Sequence, residues 1–199
     1  LFRSEDGGET WEPFSYINED AQYIEWMGTV QDGTPDGPKM HSIIVDPRDP
    51  KHLYFGMSGG GFHESTDGGR SFKTLIDGME VVEGFGFDAS KPSFHDPHCV
   101  RMCPSNPDRL YQQNHCGVYR TDNSAEDWID IGEGRLPSRF GFPVAVHPHE
   151  PDTVYVSLEE SDEFRVSVEG KFSVWRSLDK GETWQRLTDG LPPRAHLVT

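Results

Sequence analysis

Apolar residues in this chain come in short runs, and the punctuation between the runs repeats. Three times a run ends at a turn carrying two prolines and resumes at an aliphatic–tyrosine pair. Val45-Asp46-Pro47-Arg48-Asp49-Pro50 precedes Leu53-Tyr54, Met102-Cys103-Pro104-Ser105-Asn106-Pro107 precedes Leu110-Tyr111, and Val146-His147-Pro148-His149-Glu150-Pro151 precedes Val154-Tyr155. Proline lacks the N–H a sheet ladder needs, so each turn predicts a reversal between two strands. A third run follows at 61–65, 117–121 and 173–177, and residues 1–4 end the same strand one repeat earlier. A fourth is expected at 11–17, 72–76, 128–131 and 184–187. Apolar spacing of 3.6 is not sustained over twelve positions anywhere, so the pattern predicts an all-β chain.

The third and fourth runs are joined by one pattern in four copies. It reads S-E-D-G-G-E-T-W over Ser4, Asp6, Gly8 and Trp11, S-T-D-G-G-R-S-F over Ser65, Asp67, Gly69 and Phe72, and S-L-D-K-G-E-T-W over Ser177, Asp179, Gly181 and Trp184. A degraded copy, T-D-N-S-A-E-D-W, keeps Thr121, Asn123 and Trp128 and has Ala125 in place of the glycine. The starts lie 61, 56 and 56 residues apart. An Asp two positions after Ser or Thr can accept N–H bonds from its own loop, glycine supplies a positive φ, and the closing aromatic can pack between sheets. Ala125 fits poorly, which predicts an altered or looser third turn.

Four short antiparallel strands per repeat describe a propeller blade. The motif resembles the Asp-box, or BNR repeat, of sialidase-like propellers. The proline turn, leucine–tyrosine pair and Asp-box together resemble the glycosyl-hydrolase-like BNR proteins, with related repeats in xyloglucanases, sortilin-type receptors and photosystem assembly factors. The resemblance implies that the Asp-boxes are structural and lie at the blade periphery, so Asp6, Asp67 and Asp179 are not catalytic. It also implies a carbohydrate or protein ligand at the channel mouth, held by a glycosyl-hydrolase-like propeller or by a non-catalytic interaction scaffold.

The expected layout is one partial propeller over 1–199: the end of a blade at 1–17, blades at about 41–76, 98–132 and 142–188, and the start of another at 196–199. About three and a half blades are fewer than a closed propeller uses. The remaining blades would come from a longer chain or a second subunit, or residues 1–17 would complete the last blade of a small ring.

Acidic residues outnumber basic ones 34 to 18, for a net charge of -16. That field disfavours nucleic acid and anionic membrane. No run is long enough to span a membrane as a helix, and no basic segment precedes an apolar run at the start, which leaves the compartment open. Three cysteines, Cys99, Cys103 and Cys116, argue against a disulfide framework.

Aligned on Pro47, Pro104 and Pro148, His41, His98 and Phe142 share one position six residues upstream, at the entrance of each innermost strand. Long connections at 18–40 and 77–97 carry Trp26 in the first and Glu80, Glu83 and Asp96 in the second. Acids mixed with aromatics suit a carbohydrate cleft, where rings stack on sugars and paired carboxylates do acid–base work. Arg101 and Arg139 fall near the expected channel. Arg3, Arg120 and Arg176 recur just before each Asp-box, a repeat position rather than a converging sialidase triad. His95, Asp96, His98, Cys99, Cys103, His115 and Cys116 make the densest ligand-like cluster. His98, His115 and one cysteine could meet across adjacent strands, yet no compact metal motif is present, and neither metal nor cofactor is expected. The acidic insertion beginning at Glu159 is read as a solvated hairpin.

Overall fold

The computed structural model describes residues 1–14, 18–19, 21, 24–25, 39–82 and 86–192. Trp26, Glu83 and the expected blade start at 196–199 lie outside the described residues. A two-stranded hairpin, β1 (Phe2–Arg3) with β2 (Glu12–Pro13), comes first. Three four-stranded antiparallel meanders follow. The first is β3 (Lys39–Val45), β4 (Leu53–Ser58), β5 (Gly61–Ser65) and β6 (Lys73–Thr74). The second is β7 (Pro97–Cys103), β8 (Asn106–Asn114), β9 (Gly117–Thr121) and β10 (Ile129–Asp130). The third is β11 (Gly141–Val146), β12 (Val154–Leu158), β13 (Val174–Ser177) and β14 (Gln185–Leu187). The fold is a partial, unclosed propeller of antiparallel blades, as the repeat predicts. The fourth strands are shorter than expected, although Leu75 and Ile131 still donate N–H bonds to Phe62 and Val118 at 2.8 Å.

The core lies between blades. Tyr54, Phe62 and Leu75 of the first pack with Val100, Leu110, Tyr119 and Trp128 of the second. Tyr111, Val118 and Ile131 of the second pack with Val144, Val154 and Val156 of the third. Middle strands therefore bury both faces, which is why β4 and β9 show no inside–outside alternation. The closing aromatics fasten each blade to the one before it. Trp128 stands edge-on to Phe62, with centroids 5.5 Å apart, and donates Nε1–H to the Leu75 carbonyl at 3.2 Å. Trp184 donates to the Ile131 carbonyl at 3.0 Å. The tyrosines reach the other way, Tyr111 donating to the Pro151 carbonyl of the next blade at 2.8 Å.

Each Asp-box closes on itself. Ser4, Ser65 and Ser177 accept N–H bonds from Gly8, Gly69 and Gly181 at 2.7–2.8 Å. Asp6, Asp67 and Asp179 each accept from a backbone N–H and a hydroxyl of the residue four positions on. The third copy is where an altered or looser turn is expected. It is altered but not opened: Ala125 takes the glycine's place at φ 67, fully buried, and donates to Thr121 Oγ1 at 3.0 Å. Asn123 now donates to Asp127 at 2.7 Å, while the Asp127 N–H contact stretches to 3.4 Å. Packing on the neighbouring blade holds the strained residue in place.

β7 packs against β3 and β4 on one side and β11 on the other, so the first strands line the inner side of the blades. The Asp-boxes and proline turns share one edge, pinned together by Gly68, Ser124 and Lys180 N–H bonds to the Lys51, Asp108 and Asp152 carbonyls. The β8–β9 turn, the entrance of β7 and the connections between blades therefore lie at the opposite edge.

Candidate functional site

That opposite edge gathers most of the singled-out residues. Asp96 ends the connection before β7, with Oδ1 accepting the Gly59 N–H at 3.2 Å. His98, one residue into β7, donates Nδ1–H to the Gly141 carbonyl of β11 at 2.6 Å and turns Nε2 to Asp96 Oδ2 at 3.4 Å. Its ring stacks on Phe142 at 4.6 Å and meets Phe140 edge-on. His115, in the β8–β9 turn, places Nδ1 3.3 Å from the same Asp96 oxygen and Nε2 3.3 Å from Asp162. Burial alone would raise the Asp96 carboxyl, but contacts with His115 and His98 outweigh it and hold it well below the usual range. His115 is raised, first by Asp96.

His41 arrives from β3. It bonds Ser42 Oγ through Nδ1 at 2.8 Å, and burial pushes it down to about 4, with His98, Asp96 and Arg101 close enough to contribute. Arg101 extends from β7 and donates to the Val100 carbonyl at 2.9 Å. Rigidity comes from buried amides that no motif in the sequence marks. Gln113 donates to the Asn114, Gly117 and Arg139 carbonyls, and Asn114 accepts the Cys116 N–H at 3.0 Å. Together they lock the turn carrying His115 to the loop carrying Arg139.

Glu80 and Arg139 meet beside this cluster. The Arg139 guanidinium bonds Glu80 at 2.8 Å and Asp130, with Glu133 3.9 Å away. They border a cleft of about 670 Å³ with His115, Cys116, Leu136, Phe140, Glu160 and Asp162. Burial pushes the Cys116 thiol up to about 11. All three cysteines are free, and Asp96 rather than a cysteine joins the two histidines.

The insertion is exposed at Glu160 and from Asp162 to Val166, as a solvated hairpin is expected to be, but two side-chain contacts tether it. It folds back over the second blade, so that Asp162 reaches His115 and the Arg165 guanidinium lies 5.6 and 5.5 Å from the Phe140 and Phe142 centroids. At its root Glu159 is 1% exposed, with neither carboxyl oxygen hydrogen-bonded, and burial raises its pKa. Asp162 and Glu159 were legible only as part of an acidic run. The recurring arginines stay apart: Arg3 pairs with Glu5, Arg120 donates to the Lys180 carbonyl, and Arg176 bonds Gln185.

The family model for the BNR/Asp-box repeat matches residues 2–13. No curated protein sequence matches the chain. Among solved structures, an ancestral GH74 enzyme superposes with a TM-score of 0.56 at 15% identity, covering 79% of this chain and 19% of its own. The GH74 enzyme of Niastella koreensis gives 0.54 at 17% identity, covering 77% of this chain and 22% of its own. YCF48 from Cyanidioschyzon merolae gives 0.48 at 15% identity, covering 75% and 37%. The chain spans about a fifth of the length of the two GH74 structures. The fold is thus that of a BNR/Asp-box propeller. Among the described residues, no helix is long and apolar enough to cross a membrane.

Proposed function

We propose that this chain belongs to a carbohydrate-binding propeller that holds a neutral oligosaccharide in the Arg139 cleft. The observation carrying this reading is the cleft itself, about 670 Å³, at the edge opposite the Asp-boxes. A guanidinium fork and several carboxylates offer hydrogen bonds to hydroxyls, while the half-buried Leu136, Val81 and Val82 offer apolar surface to a sugar face. Glu80, Glu133, Glu160 and Asp162 against one arginine favour an uncharged ligand over an acidic one. The fold shared with two GH74 enzymes is compatible with this class of ligand.

Binding is favoured over hydrolysis because, of the bordering carboxylates, all but Glu133 are already hydrogen-bonded, and Glu133 stands 3.9 Å from Arg139. Arg139 holds Glu80 and Asp130, His115 holds Asp162, and the Glu169 N–H holds Glu160. A two-carboxyl hydrolase needs an acid and a partner free to face the bond. Calorimetry against neutral and acidic oligosaccharides tests the reading. Neutral oligosaccharides should bind saturably, and Arg139→Gln should weaken them about tenfold, or ~1.4 kcal/mol. A folded protein that binds no neutral saccharide, or a variant that binds as well as the parent, overturns the proposal. Release of reducing ends on prolonged incubation would favour the hydrolase instead.

A further inference from the structure

Beside the cleft, Asp96 Oδ2, His98 Nε2 and His115 Nδ1 all lie within 4.8 Å of one another. The three residues come from different places: the connection entering β7, β7 itself, and the β8–β9 turn. Their protons do not balance as a hydrogen-bond network. The Gly141 carbonyl can only accept, so His98 Nδ1 carries a hydrogen. A neutral His98 then aims the Nε2 lone pair at a carboxylate oxygen 3.4 Å away. His115 has a carboxylate 3.3 Å from each ring nitrogen, so its neutral form also sets one lone pair against an anion. Two imidazolium ions would supply the missing hydrogens. An ion at this point would meet those lone pairs equally well, and the 3.3 and 3.4 Å separations from Asp96 match two edges of a tetrahedron about an ion with bonds of 2.0–2.1 Å, which are about 3.3 Å.

Each of these three side chains is also oriented from behind. The Gly141 carbonyl fixes His98, Asp162 fixes His115, and the Gly59 N–H takes the other Asp96 oxygen. Ligands held through their second polar atom, a histidine backed by a carboxylate above all, are the usual outer shell of a metal site. An independent observation points the same way. Glu159 is fully buried, has no hydrogen bond to either oxygen, and lies within electrostatic reach of His98 and Arg165. A buried carboxyl in that state is stabilised by added positive charge nearby. The other acidic group, Glu80, Asp130 and Glu133, already surrounds Arg139 and needs no ion.

We propose that Asp96, His98 and His115 form a three-ligand zinc site, with Asp162 orienting His115 and a fourth position left for water or a ligand atom. Two imidazoles and one carboxylate suit zinc and not calcium or magnesium, which take oxygen ligands. The site stands apart from the saccharide reading, since the metal can be assayed without any sugar.

The test is titration of the chelator-treated protein with Zn²⁺ alone by calorimetry, with Ca²⁺ as a comparison. One equivalent should bind, and Ca²⁺ should not compete. His115→Gln and Asp96→Asn should each weaken Zn²⁺ at least a hundredfold, and Asp162→Asn about tenfold to a hundredfold. Circular dichroism of each variant checks folding. X-ray absorption of the zinc-loaded parent provides a readout independent of the variants: two imidazole nitrogens at about 2.0–2.1 Å support the assignment. Absence of stoichiometric binding, a sulfur neighbour from Cys116, or unchanged affinity in folded His115→Gln overturns it.

Discussion

At the fourth and fifth positions of every Asp-box the backbone turns left-handed. Gly7 and Gly8 have φ 76 and 94, Gly68 and Gly69 have 77 and 85, Ser124 and Ala125 have 60 and 67, and Lys180 and Gly181 have 67 and 88. A non-glycine residue in that region costs about 1–2 kcal/mol, whereas a new glycine loosens the unfolded chain by about 0.4–1 kcal/mol. Lys180→Gly should therefore stabilise by about 0.5–1 kcal/mol in urea unfolding. Gly181→Ala should destabilise by about 2–4 kcal/mol, since its Cβ would meet Ile131 at 2.6 Å on a strained backbone. His63 is a second residue-scale case. It stacks on Phe55, donates to the Gly60 carbonyl at 2.7 Å and accepts from Thr74, and burial pushes it down to about 4. The unfolded chain takes up this proton below about pH 6.5 and the folded one only near 4. The contribution is complete above pH 6.5 and lost as pH falls towards 4, by about 2–3 kcal/mol. His63→Gln should flatten that part of the stability–pH curve relative to the parent; parallel curves would contradict it.

Elements are held to each other by the aromatic that closes each Asp-box. Trp184→Phe keeps the ring but orphans the Ile131 carbonyl, and should cost about 1 kcal/mol in thermal or urea melts. The strands, their order and the box chemistry were legible because they depend on spacings within a few residues. Thr121 with Asn123 could be recognised as a box, but its survival with Ala125 could not. That depended on burial against the preceding blade. The contacts of the insertion were hidden for a related reason. Composition marks Glu159 to Glu163 as acidic, and acidity alone suggests solvent. What tethers the segment is Arg165 over Phe140 and Phe142, and those rings stand just before β11 and on it.

Across the whole molecule, the first hairpin breaks the pattern of fastening. Trp11 donates only to the Gly8 carbonyl of its own turn and is 62% exposed, as is Phe2, while the equivalent Trp128 is 3% exposed. Trp11 holds the motif position at which Trp128 and Trp184 bond the preceding blade. Residues 1–199 alone should therefore associate as concentration rises in sedimentation velocity, and Trp11→Ser should reduce it; a monomer at all concentrations would refute the prediction. The candidate site divides along the same line. Alignment on the prolines put His41 and His98 at one position of successive blades, because the repeat carries that register in the sequence. The meeting of Asp162 with His115, 47 residues away, and of Arg139 with Glu80, 59 away, was decided by tertiary structure. The sequence by itself determined strand number, turn chemistry and the equivalence of blades, all local spacings. Which loops meet at the edge depends on how blades pack and how far an insertion folds back, sums of weak non-local contacts that no short window of sequence records.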